Sequence, residues 1–322
     1  MVYHYIVSEF CNMKCTYCNV DTNNKIQLSL TFFKEFIKEI SGENYEFHIF
    51  GGEVFLNDNI RQMVDILKFE DNCSDICITT NGTVFNDEVK YIMVQPKVRI
   101  TLSHDGLKQT KNRGEQKIHD EFFKFGTHSM LTGDDFNECG YLKANHDYLL
   151  SLKTIPNFTL VRDIDAWTFE QASNFLIDYE KYVDEILGDD YKIDFIKIPS
   201  LIRGGFNSIL NFYVNGHSQL DCGVGDNKAY LTILATGERT SCERFTRSDD
   251  KIEDKNKYLI ECDTCEIRDF CNRGCIYEQI KNKGVIAELC EIYKGMHAIN
   301  LAKIKVLGKP LLKNFYNFTK GI

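Results

Sequence analysis

Hydrophobic and polar positions along this chain fall into two periods. Short runs rich in β-branched and aromatic residues, Tyr3–Val7, Tyr45–Phe50, Ile76–Thr79, Val98–Leu102, Phe158–Val161 and Ile193–Ile198, read as strands. Between them Phe33/Ile37/Ile40 and Ile60/Val64/Leu67 recur at helical spacing, and Phe169 to Ile186 carries a longer amphipathic pattern. Strand and helix alternate. That order predicts repeated βα units on a parallel sheet, with six strands making a partial barrel and the apolar stripes forming its core.

The pattern changes after Arg203-Gly204-Gly205, where clean alternation stops and cysteine density rises. A boundary there gives a barrel over residues 1–205, a smaller cysteine-rich domain over 206–307 and a tail over 308–322. Within the second domain, Tyr230–Ala235, a turn at Gly237 and Arg239–Cys242 read as a β-hairpin. Beyond Cys290 a helix presents Ile292, Met296 and Ile299 on one face.

Composition narrows the function classes. With 322 residues and 13 cysteines the chain is too long for a small disulfide scaffold, and it opens on a strand-like run rather than a basic leader and cleavage site. The expected compartment is the reducing cytoplasm. No apolar stretch is long enough to cross a bilayer, so no membrane partner is expected. A net charge of -9 disfavours a broad phosphate-neutralising surface, and nucleic acid is not an expected partner.

The cysteines carry the chemistry. Cys11, Cys15 and Cys18 follow the first strand in Cys-Asn-Met-Lys-Cys-Thr-Tyr-Cys. Three thiolates leave one corner of a 4Fe-4S cube open to a small chelating molecule, whereas four close it for electron transfer. A structural zinc or redox thiol site is the alternative, and zinc needs a fourth ligand, from His4 or elsewhere. Later in the chain Cys222 is followed by Gly237 and Cys242, then by Cys262-x2-Cys265-x5-Cys271-x3-Cys275 and Cys290. A zinc ribbon over Cys262–Cys275 leaves Cys222, Cys242 and Cys290 unexplained.

These two patterns together resemble the radical S-adenosylmethionine (radical SAM) superfamily, and within it the SPASM subclass. The resemblance implies a (β/α)6 partial barrel, a 4Fe-4S cluster on Cys11, Cys15 and Cys18 that binds S-adenosylmethionine, and two auxiliary 4Fe-4S clusters. By position, Cys222, Cys242 and Cys275 hold the first auxiliary cluster, and Cys262, Cys265, Cys271 and Cys290 the second. The first then lacks one ligand: either a group such as Asp221 completes it or an open iron faces the substrate.

Further residues follow from the same resemblance. Tyr17 occupies the aromatic position before Cys18. Gly51, Gly52 and Glu53, after the second strand, match the motif that contacts the cofactor's amino group; glycines permit close backbone approach and Glu53 adds negative charge near a cation. Asn81 and Ser103, at the ends of the third and fourth strands, are candidate cofactor contacts, and Arg113 is a candidate planar partner for its carboxylate. Glu243, following Cys242, matches a general base of sulfatase-maturing enzymes, with a surface glutamate as the alternative. Cys73, Cys77 and Cys139 lie outside both patterns; burial explains a free thiol simply, and Cys139, in a loop-like stretch, is the candidate hydrogen-atom donor.

The implied activity is reductive cleavage of S-adenosylmethionine to a 5'-deoxyadenosyl radical and hydrogen abstraction from a peptide or protein substrate, giving a crosslink, an epimerised residue or an oxidised one. The alternatives are an anaerobic sulfatase maturase and, in another class, an iron-sulfur electron-transfer protein, which has no need of a cofactor cradle. Expected partners are a reductant such as flavodoxin or ferredoxin and the substrate. Because the first strand begins at Tyr3, leader recognition falls to the barrel, the cysteine-rich domain or a separate protein.

Overall fold

The computed structural model describes residues 1–20, 22–163, 165–188, 198–215, 230–240, 242, 244, 260–271 and 275–320. In chain order the elements are β1 (Val2–Ser8), α1 (Leu30–Glu39), β2 (Tyr45–Gly51), α2 (Ile60–Phe69), β3 (Cys73–Thr80), α3 (Asp87–Met93), β4 (Val98–Ser103) and α4 (Gln109–Arg113). There follow β5 (Gly126–Leu131), α5 (Tyr141–Ser151), β6 (Ile155–Leu160), α6 (Phe169–Leu187), α7 (Ser200–Asn215), β7 (Tyr230–Ile233) and β8 (Arg239–Thr240). The chain closes with α8 (Ile260–Asp263), α9 (Arg268–Cys271), α10 (Ile276–Asn282) and α11 (Ala287–Lys320).

The strands lie in the order β6-β5-β4-β3-β2-β1-β7-β8. From β1 to β5 each neighbouring pair is parallel, so the six barrel strands and their crossover helices form the expected partial-barrel α/β fold. By packing, the chain forms two compact units, residues 1–129, 150–155 and 223–251 in the first and 130–149, 156–222 and 252–322 in the second. Each unit draws residues from both sides of position 205.

The first unit buries one face of its sheet under α1 and α2. Tyr3, Tyr5 and Val7 of β1, Phe47 and Ile49 of β2, and Ile76 and Ile78 of β3 meet Phe33, Phe36, Met63 and Val64 in one core. The alternate residues point the other way: His4 stacks on His48 with ring centroids 5.2 Å apart, and the Cys77 thiol lies 3.7 Å from the Thr101 hydroxyl.

Two expectations need correction. The fifth strand is Gly126–Leu131, absent from the sequence reading, and Phe158 belongs to the sixth. Its core-facing residues include Thr127 and Ser129, both fully buried, so it lacks the apolar alternation that marks the others. Their hydroxyls are satisfied by backbone carbonyls, of Ile155 at 3.3 Å for Thr127 and of His104 for Ser129. Of the run Ile193–Ile198, all but Ile198 lies outside the described residues, and Ile198 is in no strand. Second, Arg203-Gly204-Gly205 is no break in the chain: it lies inside α7. A Cβ at Gly205 would stand 2.2 Å from the Asn300 amide nitrogen, so glycine there admits α11 close to α7. Asn300 is buried and accepts a hydrogen bond from the Tyr179 hydroxyl at 2.9 Å.

The predicted hairpin is present, with Thr232 opposite Thr240 and Gly237 at φ 87° closing the turn. Its position is the new fact: β7 pairs in parallel with β1, Val2 opposite Tyr230, and so extends the barrel sheet. In the second unit Ile292 and Met296 of α11 join the core built by Phe175, Tyr179, Tyr182, Phe206 and Leu210.

Candidate active site

The ends of β1 to β4 assemble one site from the first unit. Ser8 ends β1, and the chain runs directly into the cysteine loop. Gly51 and Gly52 at the end of β2 lie flat against it. The Gly52 N–H donates to the Ser8 carbonyl at 2.7 Å and the Glu53 N–H to the Phe10 carbonyl at 2.9 Å. A Cβ on Gly51 would stand 2.3 Å from the Ser8 carbonyl oxygen, and one on Gly52 2.2 Å from that of Phe10. The close approach demanded of these glycines is to the loop backbone itself, which is where the structure departs from a purely ligand-facing reading.

Glu53 has a similar surprise. Its side chain is buried, and its carboxylate accepts from the Thr80 hydroxyl at 2.7 Å, the Asn81 N–H at 2.8 Å and the Phe55 N–H at 3.1 Å. Burial raises its pKa and these donors pull it back. Glu53 therefore ties the end of β2 to the end of β3.

That tie aims Asn81. Its side-chain amide donates to Asn12 Oδ1 at 3.0 Å and approaches Cys11 Sγ at 3.7 Å. On the other side Arg113 Nη1 approaches Cys15 Sγ at 3.8 Å. The guanidinium itself is buried and held by Asp105: Nε stands 3.1 Å from Oδ1, while the Tyr17 hydroxyl donates to Oδ2 at 2.6 Å. Arg113 also lies over the Tyr17 ring, 5.4 Å from its centroid. In this structure Arg113 pairs with the carboxylate of Asp105. Asp105 carries no mark of this role in the sequence, since its hydrogen-bond partner Tyr17 is 88 residues away.

Ser103 stands half-buried at the end of β4, opposite His128 of β5. Cys11, Cys15 and Cys18 are free thiols. Burial pushes the Cys15 thiol up to about 11, with the Arg113 charge opposing it, and raises Cys11. Metal loading must therefore displace protons. Among the described residues no three metal-ligating side chains converge on a single ion. Three separate thiols with N–H groups aimed at two of the sulfurs are a donor set that fits an iron-sulfur cube.

His104, next to Asp105, is buried and accepts from the Gly106 N–H through Nδ1 at 2.9 Å, so its neutral ring carries the proton on Nε2. Burial lowers its pKa from 6.5 to about 4. The sign follows: with a depressed folded value, stability is intact above pH 6.5 and is lost as pH falls toward 4. At about 1.36 kcal/mol per pH unit the loss reaches about 3 kcal/mol. Urea unfolding across this window is expected to show that slope, and His104→Gln is expected to remove most of it. His48, His128, His146 and His297, all also lowered by burial, contribute to the residual slope in the same sense.

In the second unit, Cys262, Cys265, Cys271, Cys275 and Cys290 line one cavity. The amide of Gln279 approaches Cys262 Sγ at 3.9 Å. Cys290 feels both Cys262 and Cys265. Five thiols in one cavity again fit a cluster. Cys242 is buried in the first unit, while Cys275 belongs to the second. Cys222, Asp221 and Glu243 lie outside the described residues. Cys139 is exposed beside Asn174, its sulfur 3.7 Å from Oδ1. Cys73 is buried, and Cys77 half-buried. Among the described residues no helix is long and apolar enough to cross a membrane.

Residues 5–127 match the family described as Radical SAM superfamily. Among curated proteins the chain is 25% identical over 111 residues to GTP 3',8-cyclase of Clostridium perfringens, covering 33% of this chain and 34% of that protein. A second GTP 3',8-cyclase, of Clostridium acetobutylicum, is 31% identical over 108 residues, 32% of this chain. The chain thus spans about a third of the length of the curated relatives it matches. Its fold is similar over 95% of the chain to anSMEcpe with bound AdoMet and the Cp18Cys peptide, with a TM-score of 0.72, 17% identity and 98% of that chain covered. It is similar over 88% of the chain to Streptococcus suis SuiB bound to S-adenosylmethionine, with a TM-score of 0.62, 13% identity and 74% of that chain covered. Over residues 5–127, then, this chain is similar to the radical SAM superfamily.

Proposed function

We propose that this chain is a peptide-modifying radical SAM enzyme of the SPASM type. Cys11, Cys15 and Cys18 hold a 4Fe-4S cluster with S-adenosylmethionine on its open iron, and the later cysteines hold auxiliary clusters. When bound, the cluster and S-adenosylmethionine would supply radical chemistry able to take a hydrogen atom from the substrate. The observation that carries this reading is the cysteine loop itself, pressed against Gly51 and Gly52 and met by N–H groups of Asn81 and Arg113 at two of its sulfurs.

The chain's own residues then have separable tasks. Gly51, Gly52 and Glu53 fix the loop; Asn81 and Arg113 lower the energy of the thiolate form at Cys11 and Cys15. Tyr17 and Asp105 keep Arg113 in place. Ser103, Asn81 and the glycine backbone are left to touch the cofactor. Glu243 is the proposed substrate base and Cys139 the proposed hydrogen-atom donor. A peptide or protein substrate is supported by two proteins of similar fold, anSMEcpe, solved with the Cp18Cys peptide, and SuiB, solved with its precursor peptide SuiA.

The test is anaerobic purification followed by iron and sulfide analysis and an assay for 5'-deoxyadenosine under strong reductant. About twelve irons per chain are expected, falling to about eight with loss of 5'-deoxyadenosine when Cys11, Cys15 and Cys18 are replaced by alanine. Persistence of 5'-deoxyadenosine in that variant would overturn the reading.

A further inference from the structure

The five-cysteine cavity of the second unit also contains cations. Arg162, Arg268 and Lys294 line it with Tyr293 and the buried carboxylate Glu278. Arg268 and the cysteines belong to the segments of α8 to α11, and Tyr293 and Lys294 to α11 itself. Arg162 comes from elsewhere: it follows β6 by two residues, at the C-terminal end of that barrel strand.

The cations are not equivalent. Arg268 is engaged locally, with Nη1 donating to the Asp263 carbonyl at 3.1 Å and Nε standing 3.4 Å from Asp269. Arg162 has a buried Nε and donates a hydrogen bond to the Tyr293 phenol, which in turn lies within electrostatic reach of Cys271 and Cys275. Lys294 lines the same cavity as Cys290, one helical turn further along α11. Arg162 and Lys294 thus both line the cavity that the five cysteines line.

A four-thiolate cluster is anionic and gains one more negative charge on reduction. A fixed cation beside it stabilises the reduced form more than the oxidised one and raises the reduction potential, the more so in a buried setting. We propose that Arg162, positioned through its hydrogen bond to Tyr293, sets the reduction potential of the cluster held by the cysteines of this cavity, with Lys294 adding a smaller effect of the same sign. Arg162 is a positioning residue for charge: it ligates nothing and acts on the cluster from outside its sulfurs. The inference rests on the proposed function to the extent that it takes the cavity to hold an iron-sulfur cluster.

The test is a redox titration of the reconstituted full-length protein followed by electron paramagnetic resonance, with the Cys11/Cys15/Cys18→Ala protein used to identify the C-terminal signal. Arg162→Gln is expected to make the one-electron reduction at least tenfold less favourable, a midpoint lower by about 59 mV. Arg162→Lys is expected to restore most of the loss, and Lys294→Gln to move the midpoint less but in the same direction. An unmoved midpoint in Arg162→Gln with iron retained overturns the proposal, as does an equal shift in Arg162→Lys, which would make shape rather than charge the cause. Should Arg162→Gln fail to hold iron, Tyr293→Phe and Lys294→Gln decide: midpoints equal to that of the unmodified protein overturn the proposal and lowered ones support it. Absence of any C-terminal signal overturns the cluster reading and this proposal with it, whereas a signal that does not move overturns this proposal alone.

Discussion

Gly52→Ala is expected to empty the N-terminal cysteine site of iron and to destabilise the protein by about 3 kcal/mol, the upper end of the usual overpacking range. The added methyl would meet Phe10 O at 2.2 Å, Phe10 C at 2.5 Å and Glu9 O at 2.6 Å, all backbone atoms with no rotamer to turn. Relief requires moving the residue that immediately precedes Cys11, and the Glu53 N–H to Phe10 bond at 2.9 Å goes with it. Gly204→Ala is the matched control. That glycine lies in α7 with nothing within 4 Å of its Cβ position, so alanine there is expected to be neutral or to gain up to about 1 kcal/mol from helix propensity. Iron analysis and urea unfolding of both variants check the pair. Normal iron and stability in Gly52→Ala would mean that the loop does not pack against β2 as described.

Asp105→Asn has the second large effect, about 3–5 kcal/mol, because it removes the countercharge of a buried guanidinium. Asp105 is fully buried and Arg113 nearly so. The neutral amide leaves Arg113 charged without a carboxylate and weakens the acceptor for Tyr17. The double variant Asp105→Asn/Arg113→Gln is expected to be less unstable than the sum of the single changes, since no uncompensated charge then remains. Thermal or urea unfolding of the three variants measures this coupling. Simple additivity would show that the pair contributes nothing beyond its separate packing.

Most of the barrel was legible because β1 to β4 carry large apolar residues at every second position. The cysteine spacing was legible because a ligand set on one short loop leaves a mark in the sequence. What escaped notice had physical reasons. β5 turns Thr127 and Ser129 to the interior and satisfies them with backbone carbonyls, so burial there has no apolar signature. Asp105 accepts a hydrogen bond from Tyr17, 88 residues away in the chain. Arg203-Gly204-Gly205 has the composition of a linker, yet Gly205 is there for the approach of Asn300. In Gly51-Gly52 the need for small residues was visible, while the identity of what comes close was not.

The hairpin's place beside β1 sets an order on biosynthesis. β1 begins at Val2, but its neighbour on one side, Tyr230–Ile233, is made more than two-thirds of the way along the chain. Until those residues leave the ribosome, the strand that leads into Cys11 has one row of backbone N–H and carbonyl groups bare. Such an edge is open to pairing with other chains. Arg239 then fastens the late arrival, donating from Nη1 to Glu39 of α1 at 2.7 Å. The strand that leads into Cys11 is thus completed by a segment far along the sequence.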